Sequence, residues 1–471
     1  MRRVIVIGGG IAGLSAAYYI QKNILEKSLP LSLTVLERDQ HWGGKVTTER
    51  LDGFVIEGGP DTFLATKPWG VTLCRELSLE DRLHGTNPHL KNTYILHHGQ
   101  LEPLPEGLAM MLPTRFAPMV RTGLLSPLAK ARMGLDFILP SHQVAGDESL
   151  GAFVTRRLGR AAYERLIEPL MSGIYAGDGD QLSLQATFPY LRDLELQHGG
   201  VIKGALAARR QMAKNGKTAP GTRSAFLTPT TGLAELVEAL RARLEAAYTE
   251  HRLGALVQQV AATGKGYCVE LATGETLPAD GVILATPAYV TGELLADLDP
   301  LLAAELLAIP YTSTATVSLA YRKRDLPHPL DGYGYVIPRC EGRRALACTW
   351  TSTKFPHRAP EGFALLRVFV GRAGEEDEIP WNEAGLLSLA KDELRQTLHI
   401  DAEPVLARVF CWDRAMPQYI LGHPQRLARI EAALAKHPGL ALAGNGYHGI
   451  GIPDCIHSGQ LAANRILYSW L

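Results

Sequence analysis

Val4-Ile5-Val6-Ile7 begins the chain as an unbroken aliphatic run and stops at three successive glycines. No polar residue alternates within it, so the run predicts a short strand buried on both faces. Leu14-Ser15-Ala16-Ala17-Tyr18-Tyr19-Ile20 follows and predicts a helix, and Leu33-Thr34-Val35-Leu36 predicts a second strand. The β-branched signal returns much later. Residues 280–287 (Asp-Gly-Val-Ile-Leu-Ala-Thr-Pro) predict a buried strand and turn that complete a central sheet. Residues 311–321 are rich in Thr, Val and Tyr and predict a longer strand, and Gly332-Tyr333-Gly334-Tyr335-Val336 alternates as a strand does. Segments of another character lie between. Asp147-Glu148-Ser149 predicts a helix start with acids in its first turn, where the dipole favours them. Residues 226–240 predict the beginning of a helix that leads back to the sheet. Residues 104–140 are apolar, proline-punctuated and dotted with Arg115, Arg121, Lys130 and Arg132, whereas residues 213–224 are small and polar and predict a mobile loop. The mixture of strands and helices places the chain in the α/β class.

Length and charge narrow the picture. A chain of 471 residues suffices for two or three domains with a sizeable core. Lys and Arg together number 48, as do Asp and Glu, so no bulk positive charge points to a nucleic-acid partner. Cys74, Cys268, Cys340, Cys348, Cys411 and Cys455 are scattered without a C-x-x-C pair. That argues against a zinc site or a disulfide framework and favours a reducing compartment. Met1-Arg2-Arg3 before an apolar run imitates a signal peptide, but the run is glycine-broken and lacks a small-residue cleavage pattern. With no stretch long enough to span a bilayer, a cytoplasmic globular enzyme is expected.

Candidate chemistry begins at the glycines. Gly8, Gly10 and Gly13, with Gly9, Ile11 and Ala12 between them, spell G-x-G-x-x-G after a predicted strand and before a predicted helix, the context that makes this fingerprint meaningful. The first glycine permits the tight turn, the second lets a pyrophosphate approach the backbone, and the third lets helix and strand pack closely. The helix N-terminus offers its unpaired N–H groups to phosphate. Glu37 ends the second predicted strand where a ribose hydroxyl pair is expected, with Arg38 beside it; the alternative for Glu37 is a solvated strand-end acid. Gly43-Gly44-Lys45 then lets the backbone pass close to a nucleotide, with Lys45 near its phosphates, or forms an ordinary exposed turn. A third cluster, Gly58-Gly59-Pro60-Asp61-Thr62, follows. Three glycine loops exceed what a nicotinamide dinucleotide needs and suit FAD, whose longer body is wrapped by several loops.

The fingerprint, the spacing from Glu37 to Gly43-Gly44 and the segment Gly58-Gly-Pro-Asp-Thr-Phe-Leu64 resemble the amine-oxidase-like flavoproteins and, within them, the porphyrinogen oxidases of heme synthesis. The most specific point is Glu168-Pro-Leu-Met-Ser-Gly173-Ile-Tyr175-Ala-Gly177-Asp178, which is similar to the porphyrinogen oxidases and not to the wider superfamily. The resemblance implies that Gly173 presents its backbone to a tetrapyrrole; the residues alone indicate only a helix-terminating turn. It implies that Lys67 lies near the substrate's propionates, against the alternative of a solvated loop charge, and that Tyr333 and Val336 clamp a pyrrole, against plain strand packing. Tyr333 stands where many relatives have phenylalanine, and Thr231-Gly232 where they have two glycines. Val257 matches a position that meets the adenine, and Trp412 one that covers the flavin. Gly444-Asn445 and Ile450-Gly451-Ile452 resemble the C-terminal flavin motif, whose helix N-terminus faces the pyrimidine edge. His448 within it is expected to pack or support and not to act as a base.

The resemblance therefore implies FAD as cofactor, a porphyrinogen as substrate and dioxygen as acceptor. The chain then divides into a discontinuous Rossmann-like FAD-binding domain (1–64, 225–290, 406–471), an α+β substrate domain (65–103, 291–405) and a helical insertion (104–224). No catalytic side chain is singled out. Electron-rich pyrroles stabilise the cation left when a bridge carbon loses hydride, and the redox chemistry belongs to flavin N5. The overall pattern is similar to the Gram-positive-type branch, which implies coproporphyrinogen III, with protoporphyrinogen IX as the alternative and, behind these, another amine-oxidase-like flavin oxidase or a non-catalytic binding protein on the same fold. Residues 104–140 are expected to wall an apolar channel; peripheral contact with a membrane surface is the other reading.

Overall fold

The computed structural model describes residues 1–90, 92–109, 111–142, 146–214, 224–247 and 249–470. Most of the loop expected at 213–224 lies outside these residues, the helix Val201–Lys214 running directly up to it.

Five short strands form the central sheet, and all are parallel. Across the sheet they run Glu250–Arg252, Leu31–Leu36, Arg2–Ile7, Gly281–Leu284 and Leu440–Leu442. In chain order this is 3-2-1-4-5, the doubly wound arrangement that binds ligands outside the carboxyl ends of its strands. Gly281–Leu284 does not complete the sheet as expected; Leu440–Leu442 adds a further strand beyond it. Helix Ile11–Lys27 and the C-terminal helix Ile452–Tyr468 cover one face together, joined in a single core with Val4, Val6, Val35 and Ile283. They lie so close that a Cβ on Gly459 would overlap the Ala12 carbonyl oxygen. The opposite face packs against the antiparallel sheet of Val257–Thr263, Gly266–Leu271 and Thr276–Ala279 and against helix Pro300–Leu307. That helix was expected in the substrate domain, but Leu302 and Leu306 are buried with Val282 and Leu284.

A second, seven-stranded sheet runs Leu406–Pro417, Tyr311–Arg322, Phe363–Val370, Ala345–Thr349, Gly332–Val336, Asn92–His97 and Gln100–Pro103. Among the described residues its only parallel neighbours are Asn92–His97 and Gly332–Val336. Leu406–Pro417, assigned from sequence to the cofactor domain, is its edge strand, so Trp412 belongs to this sheet.

The insertion is helical as expected, with its own core of Phe153, Tyr163, Leu166, Met171 and Tyr175. Acids do not occupy the first turn of helix Leu150–Leu158. Ser149 caps it, and Asp147 and Glu148 precede the cap, Asp147 accepting from Ser183 Oγ (2.8 Å) while Glu148 pairs with Arg156 and Arg192. Arg157 and Asp136, both fully buried, pin the helices together. Residues 226–240 also differ from expectation: Phe226–Pro229 is a strand, and the helix starts only at Ala234.

Candidate functional site

The carboxyl ends of the central strands bring the expected cofactor residues together. Gly8, at φ +107°, turns the chain; a Cβ there would lie 2.7 Å from the Ala285 carbonyl oxygen. A Cβ on Gly13 would overlap the Gly8 carbonyl oxygen, so only glycine lets this helix sit on this strand. At Gly10 the space is open: the nearest atom to an added Cβ is the Gly43 oxygen at 3.9 Å. No side chain caps helix Ile11–Lys27, and its N-terminal amides face that opening. Ile11 and Ala12 are buried beneath it. Glu37 is buried rather than solvated; it accepts from the Gly9 amide (2.6 Å) and the Asp39 amide (2.9 Å). Ala255, two residues before Val257, donates to the Glu37 carbonyl (2.8 Å). Arg38 is exposed, 3.5 Å from Asp39.

The second and third glycine loops close against the first. Gly43 donates to the Gly9 carbonyl (2.9 Å), and a Cβ on Gly44 would lie 3.4 Å from Gly10 Cα. A Cβ on Gly59 would overlap the Lys45 carbonyl oxygen. Lys45 does not point freely at a phosphate position: it donates to the Ala415 carbonyl, and burial pulls its ammonium down to about 8. The carbonyl of Gly58 accepts from Thr316 Oγ1 (2.9 Å), Arg367 Nη2 (3.1 Å) and Trp412 Nε1 (2.9 Å). Trp412 is therefore fixed by the third glycine loop. Pro60 leads to Asp61, which Lys354 approaches to 3.3 Å and Thr62 bonds at 3.0 Å. Burial would raise the Asp61 carboxyl, but Lys354 and Arg367 outweigh it and hold the group at about 2.

The closing motif reaches the same end of the sheet. Ala443 donates to the Leu284 carbonyl (2.9 Å), and Gly444, at φ +129°, donates to Ser458 Oγ (3.0 Å). Asn445 and Gly449 are tied by one hydroxyl, Tyr419 Oη donating to the Asn445 carbonyl (2.5 Å) and accepting from the Gly449 amide (2.9 Å). Ile450 packs on the insertion core, Gly451 caps the C-terminal helix, and Ile452 is buried. His448 does not pack as expected; it is exposed.

The expected substrate residues lie on helix Glu168–Tyr175 (Gly173), on strand Gly332–Val336 (Tyr333 and Val336) and just before helix Pro68–Glu76 (Lys67). Helix Glu168–Tyr175 lies over strands Gly332–Val336 and Ala345–Thr349. Glu168 accepts from the Arg339 amide (3.1 Å) at one end; at the other, Ala176 accepts from the Ala373 amide (2.7 Å) and Tyr175 from Gln418 Nε2 (2.9 Å). Gly173 is exposed in the last turn, where helix carbonyls have no intrahelical partner. An added Cβ would find nothing within 4 Å. It is Ala176, at φ +49°, that ends the helix. Tyr333 donates its hydroxyl to the Asn87 carbonyl (2.6 Å), and Val336 packs on the insertion core. The strand is irregular between them, its register against Asn92–His97 shifting between Gly332 and Tyr335. Lys67 is ion-paired, its Nζ 2.6 Å from Asp454 Oδ2, yet its side chain remains 39% exposed.

Sequence reasoning missed Asp454, Arg367, Lys354 and Tyr419. A lone arginine in the apolar run Phe363-Ala-Leu-Leu-Arg367-Val-Phe-Val was a signal of a buried charge. Glycine-Ile-Pro-Asp at 451–454 was the signal of a helix start with an acid at its third position. Nothing local marked Tyr419. Elsewhere, His97, His98 and Glu341 bring possible metal-ligand atoms within 4.8 Å of one another, but Arg165 Nη1 already stands 2.8 Å from His97 Nδ1. Among the described residues no helix is long and apolar enough to cross a membrane.

Comparison with known proteins agrees with this arrangement. Residues 11–467 match the family of flavin-containing amine oxidoreductases. The chain is 40% identical to the coproporphyrinogen III oxidase of Bacillus subtilis (strain 168) over 467 residues, covering 99% of this chain and 98% of that one. It is 28% identical to the chloroplastic protoporphyrinogen oxidase of Nicotiana tabacum, covering 98% and 85%. A crystal structure of an Exiguobacterium sp. 255-15 protein superposes with a TM-score of 0.86 at 34% identity, covering 99% and 98%.

Proposed function

Because the chain belongs to the flavin-containing amine oxidoreductases, we propose that it oxidises coproporphyrinogen III to coproporphyrin III in porphyrin synthesis, with dioxygen as acceptor. The observation that carries this reading is the open backbone at Gly173, on a helix fixed over Val336 and tied to the strand that bears Trp412. A flat, bulky ligand needs a wall without a Cβ at that point. The full-length similarity to the Bacillus enzyme supports the choice of coproporphyrinogen. The similarity to the tobacco enzyme favours protoporphyrinogen IX as a second reading.

The cofactor is FAD, and the cradle at the sheet's carboxyl end fits it. The first-helix amides and the gap at Gly10 would take the pyrophosphate, Glu37 the ribose, Val257 the adenine, and Gly59 to Thr62, Trp412 and Gly444 to Ile452 the flavin. Bound there, FAD supplies a two-electron oxidant for the bridge carbons of the substrate. The chain's own residues have the remaining work. The helix Glu168–Tyr175 and the strand Gly332–Val336 packed beneath it would together wall the macrocycle and exclude water, and the exposed Gly173 backbone would offer its carbonyl to a pyrrole N–H. Lys67 spends two contacts on Asp454 and keeps a third N–H for a propionate. No strong base is called for, since the cation formed next to an electron-rich pyrrole sheds its N–H proton readily. Six hydrogens leave in all, so three two-electron steps follow one another. The protein is read as cytoplasmic.

Aerobic assays with each porphyrinogen test the proposal. Porphyrin fluorescence should grow with oxygen consumption and faster from coproporphyrinogen III. Equal or faster oxidation of protoporphyrinogen IX would move the assignment to the second reading, and inertness toward both would end it.

A further inference from the structure

Asp454 stands where the three parts of the molecule meet. It is the third residue of the C-terminal helix, and its Oδ2 accepts from the Gly451 amide (3.2 Å) at the mouth of the closing turn. A Cβ on Gly449 would lie 2.5 Å from its carboxyl carbon, so the loop wraps directly around the acid. Lys67, at the start of helix Pro68–Glu76, places Nζ 2.6 Å from both carboxylate oxygens. The Asp454 side chain is 10% exposed. Its field reaches the neighbours on each side: burial, and then the Asp454 charge, raises the Tyr175 hydroxyl in the insertion and pushes the Cys455 thiol up to about 12, with Lys45 and Lys67 pulling the thiol the other way. An acid in the first turn of a helix is ordinarily explained by the helix dipole. This one carries in addition a lysine from a distant segment, 387 residues away in the chain, which cancels its charge at that spot.

We propose that the Lys67–Asp454 pair sets the reduction potential of the bound flavin by keeping the closing turn electrically neutral while orienting the Gly451 amide. The inference rests on the reading that places the flavin at residues 444–452. Reduction adds negative charge to the flavin. A lone carboxylate beside it therefore opposes reduction and a lone ammonium favours it, and a partly desolvated unit charge at close range acts strongly. The paired arrangement holds the potential between these two values. Asp454 and Lys67 are positioning residues in this account and carry no reacting atom.

The test is the two-electron potential of the holoprotein, measured without substrate by equilibration with a reference dye. Asp454→Asn, which leaves the ammonium alone, should raise the potential. Lys67→Met, which leaves the carboxylate alone, should lower it. Each shift should be at least about tenfold in the reduction equilibrium, ~30 mV for a two-electron couple. The double variant should return close to the wild-type value, which a purely structural role would not produce. Unchanged potentials, or shifts of the same sign in both single variants, overturn the proposal. Hydrogen exchange of the wild-type protein with and without FAD separates this failure from failure of the underlying placement. Protection of the amides of 444–452 by FAD together with unmoved potentials refutes the charge effect alone, whereas no protection refutes the placement and the proposal with it.

Discussion

Adding one methyl group at Gly173 separates stability from function. Glycine inside a helix costs roughly 0.5–1 kcal/mol relative to alanine. The backbone at Gly173 is ordinary helix, absent from the residues with positive φ, and an added Cβ meets nothing within 4 Å. Gly173→Ala should therefore leave the protein as stable as before or up to ~1 kcal/mol more stable, with its flavin content unchanged. If a tetrapyrrole lies against this backbone, the same methyl group intrudes on the ligand. One methylene too many in a fitted apolar pocket is worth about 1–3 kcal/mol, or roughly 10–200-fold in kcat/KM. Gly173→Ala should fall near the lower figure, and Gly173→Val, with two more carbons, near the upper. The assay is porphyrin fluorescence under air for kcat/KM, with thermal melting and flavin absorbance on the same preparations. A Gly173→Val enzyme with wild-type kcat/KM would refute the placement of substrate at this helix, and one that melted early would refute the claim that the space is open.

Gly13→Ala should behave in the opposite way. Its Cβ would overlap the Gly8 carbonyl oxygen and lie 3.1 Å from Ala285 Cβ, so the helix must move off the strand, with FAD affinity falling strongly and the apoprotein losing about 1–3 kcal/mol. Fluorescence titration with FAD checks it, and stoichiometric flavin in the purified variant would contradict it. Arg358→Met should destabilise by about 3–5 kcal/mol in denaturant unfolding. It would leave Glu57, 2.7 Å from Arg358 Nη1 and almost fully buried, without its partner; adding Glu57→Leu should recover much of the loss. Lys45 gives a pH dependence. Its folded-state value of about 8 lies below the ~10.4 of an unfolded lysine, so between these two pH values the unfolded chain holds a proton the folded one has released. Apoprotein stability should rise through that window, and Lys45→Met should abolish the rise; an identical slope in the variant would assign it to another group.

What could be read from the sequence was whatever a local rule determines. Val4-Ile5-Val6-Ile7 and the glycines after it encode a strand, a turn and a helix within a few residues, and the structure has Arg2–Ile7 and Ile11–Lys27 there. The closing glycine motif likewise carries its own helix start at Ile452. Segments whose state depends on distant partners were read less well. Phe226–Pro229 is a strand because Phe63–Leu64 and Leu83–Gly85 pair with it on either side, and nothing within 226–240 records those neighbours. The twelve-residue edge strand Leu406–Pro417 was placed with the cofactor domain for the same reason in reverse: its partner, Tyr311–Arg322, lies almost a hundred residues upstream. Lys67 was visible as a cation that could meet a propionate, but its pairing with Asp454 joins two ends of the chain and has no local trace. His448 misled because a histidine in a glycine-rich turn gives no sign of which way it points, and here it is exposed.

The account depends most on a single flavin at the closing turn meeting a tetrapyrrole held against helix Glu168–Tyr175. Anaerobic mixing of the holoprotein with one equivalent of coproporphyrinogen III probes that contact before oxygen enters. The flavin absorbance should bleach in one turnover, more slowly in Gly173→Val, and porphyrin fluorescence should appear as air is readmitted. A flavin that stays oxidised with coproporphyrinogen III and with protoporphyrinogen IX alike would contradict the account.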